Sequence, residues 1–322
     1  MRALRYDHFG DPSVVGLVEA EPPRPAAGEL LVRVVRAGLN PLDAKLIAGH
    51  LRFVPGMARP PRGVGVDFAG IVVGVGGGDV RGAFPGSRVF GTLSPFRRQG
   101  SCAELCVIPA AAAAILPEEL DEATAAALPV AAGTAVQALV DHAKLAAGQR
   151  VIVLGAAGGV GHYAVQLARH LGAEVTGVCG PSNLEFVASL GATRVVDYSR
   201  EPDPVADRPW DVVLDAAGVS SLARWRERLA PDGVYLNTSP DLRAIATTVA
   251  DAIRARVVGG PRGVALAFKP GRAALERLAD YARRGVLVPQ VRATVGLEGV
   301  RGALTELAAG HGRGKVLVDP AP

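Results

Sequence analysis

Cysteine is scarce in this chain: Cys102, Cys106 and Cys179 are the only three among 322 residues. A sparse, odd-numbered set excludes a disulfide framework and points to a reducing, cytoplasmic setting. Aromatic residues are also few, at 5%, with two tryptophans. Long apolar runs are missing. Stretches such as AAAAIL at 111–116 fall far short of the roughly twenty residues that cross a membrane. The opening MRALRYDHFG carries charge where a signal peptide carries its apolar segment. Lysine and arginine are scattered, and the formal net charge is only +4, so the basic tract that tracks a phosphate backbone is lacking. Neither nucleic acid nor membrane is an expected partner. A small molecule, anionic in character, is.

Glycine and proline are plentiful, 40 and 24 residues, in a chain that is 49% hydrophobic and 20% charged. This composition excludes a largely disordered protein and suggests a turn-rich α/β one, long enough for about two domains. The first 120 residues read as short strands broken by Gly and Pro, among them LLVRVVRAGL at 30–39, GIVVGVG at 70–76 and SRVFGTL at 87–93. Helical spacing takes over in ILPEELDEATAAALPVAAGTAVQALVDHAKL. From 151 to about 258 strands alternate with helices: VIVL, EVTGV, TRVV, DVVLDA, GVYLNT and RVVG at 256–259, with LEFVASLG and SLARWRERLAPDG as helices between them. Such alternation builds a doubly wound parallel sheet. The helix GRAALERLADYARRG and the strand GRGKVLVD close the chain. The expected architecture is a β-rich domain of residues 1–124 plus 266–322, interrupted by a nucleotide-binding domain of residues 125–265.

The segment VIVLGAAGGVGHYAVQLARHLGAEVTGVCG, residues 151–180, carries the chemistry. Gly155, Gly158 and Gly161 stand three apart between a strand and a helix, the context in which a glycine triplet binds a dinucleotide. Around them Gly159 and Val160 complete a turn whose free N–H groups, at the positive end of a helix, suit a diphosphate. NAD sites place an acid at the end of the second strand, on the ribose 2′-hydroxyl. Here that strand ends in Cys179 and Gly180, so NADPH is expected over NADH. Ser182, Asn183, Tyr198 and Arg200 are the nearest partners for its 2′-phosphate. Gly218 and Thr238 follow the fourth and fifth strands, at the carboxyl ends where open sheets bind ligands.

The chain resembles the medium-chain dehydrogenase/reductase superfamily, in its zinc-free quinone oxidoreductase (zeta-crystallin-like) branch. The likeness rests on AGLNPLDAKLIAGH, GVDFAGIVVGVG, GSCAELCVIP, LPVAAGTAVQAL, GAAGGVGHYAVQLARHLGA, LGATRVVDY, DVVLDAAG and GRGKVLV, which run in order from residue 37 to the C-terminus. It implies a Rossmann sheet inserted in a GroES-like β-rich catalytic domain, with Thr134 and Lys315 near the cofactor and a homodimer paired through RVVG. Zinc-using relatives carry a Cys within the segment that reads AGLNPLD and a His-Glu pair within GVDFAG. Asn40 and Val66-Asp67 stand there instead, so no metal is expected. Hydride delivery without a Lewis acid suits an already activated acceptor, a quinone or the C=C of an α,β-unsaturated carbonyl.

Four side chains are candidates for that catalysis. Asn40 and Asp43, in NPLD, also read as the cap of a helix starting at Pro41. Lys45, one turn further, is placed either to donate a proton or to face water. Asp67 has a competing role in binding nearby main-chain groups, as Thr134 has at a helix start and Lys315 has as an exposed lysine before the last strand. Three alternatives stay open: a pathway-specific enoyl reductase, a metal-free carbonyl reductase, and a non-catalytic cofactor-binding scaffold.

Overall fold

A computed structural model of the chain describes residues 1–202, 204, 207–238, 254, 259–266, 268–310 and 312–321. It divides into two compact units. The first comprises Met1–Gly133, Pro270–Gly285 and Pro289–Pro322, the second Thr134–Lys269 and Val286–Val288. The first seam thus falls at Gly133–Thr134, later than the sequence suggests. Helix Glu122–Ala127 packs on the strands of the first unit and buries Ala125, Ala126 and Ala127 there.

The first unit is built on strand Glu29–Leu39, flanked on both sides. Asp67–Val75 runs antiparallel along one edge, with Gly38 opposite Asp67. The other edge is shared: Leu105–Pro109 pairs with its beginning, and Lys315–Asp319 pairs with its end, Val316 opposite Leu39. Arg88–Thr92, Ala113–Ile115 and Val291–Gly296 complete the sheet, and Arg2–Tyr6, Gly16–Glu19 and Arg62–Gly63 form a small second one. Alternation along Glu29–Leu39 sends Val32 and Val34 into a core with Phe68, Ile108 and Val316. On the opposite face Ala69, Phe90 and Leu317 meet Ala126 and Leu275. Gly38 has to be glycine for this approach, because a methyl group there would overlap the carbonyl oxygen of Ala126.

The second unit is a six-stranded parallel sheet in the order Arg194–Asp197, Glu174–Cys179, Arg150–Leu154, Trp210–Asp215, Leu229–Asn237, Arg262–Ala265. This is the doubly wound order that reverses beside its first strand. Arg150–Leu154 is buried at all five residues, as expected of a strand covered on both faces. Of RVVG, residues 256–258 lie outside the described residues, and the sixth strand is Arg262–Ala265. SLARWRERLAPDG forms only a short helix, Leu222–Trp225, and a 3₁₀ turn before the chain extends at Leu229. Pro231 disfavours helix at the preceding residue and removes a donor, which stops propagation.

Two glutamines fasten returning segments within this unit. Gln166 donates to Val288 O at 3.0 Å and accepts the Val288 N–H at 2.9 Å. Gln137 makes the same two contacts with Lys269, each at 3.3 Å.

Gly38→Ala is expected to cost about 1–3 kcal/mol through forced overpacking, read as a lower urea midpoint of unfolding. Gly16→Ala, where a methyl group meets nothing within 4 Å, serves as the control and stays within about 0.5 kcal/mol of wild type.

Candidate functional site

Antiparallel register in the first unit gathers three of the residues expected from the sequence. Asn40 follows the end of the central strand. With Gly38 opposite Asp67 and Leu39 opposite Val316, it falls beside both Asp67 and Lys315. Lys315 Nζ donates to Asn40 Oδ1 at 2.6 Å and to Leu39 O at 2.8 Å. Asn40 Nδ2 donates to Asp67 Oδ2 at 2.8 Å, and the same oxygen accepts the Val130 N–H at 3.2 Å. Lys315 Nζ lies 3.9 Å from Asp67 Oδ2. All three side chains are buried. Lys315 is therefore an interior cation rather than an exposed lysine.

The cap expected at Asn40 is present. Helix Pro41–Ile47 starts behind it, and Asp43 Oδ2 accepts the Asn40 N–H at 2.8 Å. Lys45, on the same helix, is half-buried. Burial sets the electrostatics of the cluster. It raises the Asp67 carboxyl, against the opposing pull of Lys315 and Asn40, and lowers Lys315, against Asp67 and Asp43. It also pushes Asp43 up to about 7, opposed by the Asn40 N–H and reinforced by the neighbouring charge of Asp67. Among the described residues Asp43 Oδ1 has no hydrogen-bond partner; nor do Tyr6 Oη, Arg62 Nε and Ser101 Oγ, all buried. Sequence reasoning missed those last three residues, which carry no motif. The buried Cys102 and Cys106 thiols are raised by desolvation, so neither is a nucleophile.

In the second unit the glycine turn leaves strand Arg150–Leu154 and enters helix Gly161–His170. Gly155 has φ +76°, the left-handed region that glycine adopts without strain. The N–H groups of Gly155 and Ala156 both donate to Val178 O, at 3.0 and 2.9 Å, which ties the turn to the second strand. A methyl group on Gly161 would strike Gly155 O and the Ala156 main chain. Among the described residues the N–H groups of Gly159, Val160 and Gly161 donate to no protein acceptor. Three consecutive free donors at the positive end of a ten-residue helix form an anion cradle.

Cys179 ends the second strand, buried, and desolvation pushes its thiol up to about 11. A carboxylate does stand beside it: Asp197 is its register partner on the next strand. That acid is already occupied, accepting Ser199 N–H at 2.9 Å and Ser199 Oγ–H at 2.7 Å. Ser182, Tyr198 and Arg200 are exposed and Asn183 is half-buried, on turns next to this strand end. Gly218 and Thr238 meet at a residue the sequence reading passed over. Asp215, fully buried at the end of the fourth strand, accepts the N–H groups of Gly218, Val219 and Ser220 at 2.7, 3.2 and 2.8 Å, and Tyr235 Oη–H at 2.8 Å. Its own carbonyl accepts the Thr238 N–H at 3.2 Å. An acid closing the apolar run DVVLD was the available signal. Thr134 does not open a helix; it lies late in Pro129–Val136 and is buried.

Residues 26–118 match the family described as Alcohol dehydrogenase GroES-like domain, and residues 190–318 the family described as Zinc-binding dehydrogenase. The chain is 33% identical to the Chloroplast envelope quinone oxidoreductase homolog of Arabidopsis thaliana, over 99% of this chain and 98% of that one. It is 31% identical to the NADPH-dependent alkenal/one oxidoreductase, chloroplastic, of the same plant, over 100% and 80%. Among solved structures, the Escherichia coli quinone oxidoreductase complexed with NADPH superposes with a TM-score of 0.86 at 25% identity, over 99% of this chain and 100% of that one.

Lys315→Met is expected to cost about 3–5 kcal/mol, since it strands a buried carboxylate; adding Asp67→Asn should recover most of that loss in urea unfolding. The Asp43 carboxyl titrates higher in the folded chain than in the unfolded one. The folded state therefore holds more protons between pH 3.8 and about 7, and this group's contribution to stability falls as pH rises through that window. Asp43→Asn removes this loss, so its unfolding midpoint relative to wild type should climb from pH 4 to pH 7 and then level off.

Proposed function

The chain belongs to the quinone oxidoreductase branch of the medium-chain dehydrogenase/reductase superfamily, and from that premise we propose the chemistry that follows. It is an NADPH-dependent oxidoreductase acting on quinones or on the C=C of α,β-unsaturated carbonyls, and it works without zinc. The observation that carries the reading is the row of free N–H groups at Gly159, Val160 and Gly161.

Bound there, NADPH would supply the hydride. The residues supply its placement. The three N–H groups and the helix start hold the diphosphate, while Gly155 and Gly158 let the main chain come close to it. Ser182, Asn183, Tyr198 and Arg200 take the 2′-phosphate, with Asp197 withdrawn from competition by Ser199. Asp215 fixes the 216–220 loop, and with it Gly218 and Thr238, so that the strand ends form a rigid floor. Hydride addition to the β-carbon of an enone leaves negative charge on the carbonyl oxygen, which then needs a proton. Asn40, Asp43 and Asp67 are enclosed and engaged with one another or with main chain. In this proposal they hold one another and the start of helix Pro41–Ile47 in place and do not return that proton.

The zinc ion implied by the family description does not fit these residues. Where an ion would need anionic or imidazole donors, Asn40 Oδ1 faces the Lys315 ammonium, a cation already in place. Among the described residues no group of three or more His, Cys, Asp and Glu side chains is set to hold a metal. A reducing compartment and a homodimer complete the proposal. The three free, buried cysteines support the first. Support for the second is strand Arg262–Ala265, paired on one side only among the described residues.

The test is NADPH oxidation with a quinone, with an alkenal and with a simple ketone. Turnover is expected with the first two, and kcat/KM for NADPH should exceed that for NADH by at least about tenfold, ~1.4 kcal/mol. Activity should survive prolonged chelation. A preference for NADH, or activity lost to the chelator and regained with zinc, overturns the corresponding part.

A further inference from the structure

Gly158 and Gly159 share a peptide with no side chain on either flank, the kind that rotates most freely. In a trans peptide the carbonyl and the following N–H point in opposite directions. Whichever way Gly158 O faces, the Gly159 N–H faces the other. Nothing in a pair of glycines chooses between the two orientations.

His162 makes that choice. Its main-chain N–H donates to Gly158 O at 3.0 Å, and its ring Nδ1 lies 2.9 Å from the same oxygen. A carbonyl oxygen can only accept, so Nδ1 carries the proton in this contact. The ring is fully buried and lies against Tyr163, centroids 3.9 Å apart. One residue thus grips one oxygen twice.

We propose that His162 is a positioning residue for the cofactor: by pinning the Gly158 carbonyl it holds the Gly159 N–H outward as a ready-made donor to the diphosphate. The inference rests on the reading of this turn as the NADPH site and extends it to a side chain that touches no part of the ligand. Preorganisation of this kind raises affinity by removing an ordering cost from binding.

The same helix supplies a conservative replacement. Gln166 Nε2 donates to the carbonyl four residues back, His162 O, at 3.1 Å, so a glutamine at 162 can reach Gly158 O in the same way. His162→Leu keeps the bulk and removes the donor; His162→Gln keeps a donor. NADPH binding by the full-length protein is measured by fluorescence titration beside adenosine 2′-monophosphate, which has the 2′-phosphate and no diphosphate. His162→Leu is expected to weaken NADPH by about tenfold, the scale of one well-placed hydrogen bond. Binding of the monophosphate should stay within about twofold, a difference too small to reflect a lost hydrogen bond. His162→Gln should restore NADPH affinity, and KM for NADPH should rise in the leucine variant with kcat retained.

Equal weakening of both ligands overturns the inference, because it reports a general loosening of the unit. Unchanged NADPH affinity in a folded leucine variant overturns it as well. Should the leucine variant not fold, wild-type NADPH affinity in His162→Ala, which has no side-chain donor for Gly158 O, does the same, and weakening confined to NADPH supports it. Wild-type protein that binds the monophosphate but not NADPH removes the diphosphate reading itself, and His162 with it.

Discussion

A single buried ammonium organises the first unit. Lys315 is the first residue of the last strand, and its charge is spent on the carbonyl of Leu39 and the amide of Asn40, where the longest strand ends. Burying an amine is costly without partners. The chain is therefore committed to the one register in which Asn40 and Asp67 stand ready for it. A one-residue slip would turn every core side chain outward and leave the cation unmatched. Helix Pro41–Ile47, the Asp67 carboxylate and the start of Pro129–Val136, through the Val130 N–H, all take their positions from this point.

The second unit uses the same device with the opposite sign. Asp215 ends an apolar strand, lies fully inside and spends its oxygens on three main-chain N–H groups and a tyrosine hydroxyl. In both units an interior charge at a strand terminus fixes main chain beside it, and both charges are buried. Charge of this kind is structural in what it touches and functional in what it places. The carboxyl ends of the parallel strands stay available for binding because their loops are held from beneath.

Much of this was legible in the residues alone. The alternation from 150 to 238 placed five of the six parallel strands, since runs such as VIVL and DVVLD have few other ways to bury themselves. The glycine spacing placed the anion cradle. What periodicity does not encode is which partners long-range pairing brings together. Lys315 and Asn40 are far apart in the chain, and only the strand register makes them neighbours; Asp197 meets Cys179 for the same reason. Asp215 was hidden by chemistry: a lone acid after an apolar run reads equally as a loop residue. The Leu222–Trp225 helix came out short because Pro231 and the pull of the fifth strand outweigh a helical pattern of Leu, Ala and Arg.

The glutamine side chains at 137 and 166 carry a lesson for anyone wishing to transplant the nucleotide-binding module. Each reads a returning stretch of main chain as a neighbouring strand would, amide to carbonyl and carbonyl to amide. One of those stretches, Val286–Val288, arrives long after the contiguous piece Thr134–Lys269 has ended. A graft cut at 134 and 269 would leave the Gln166 amide facing two absent groups. The smallest portable unit is discontinuous, and a tether that carries three late residues back to that helix belongs in any chimera built from it.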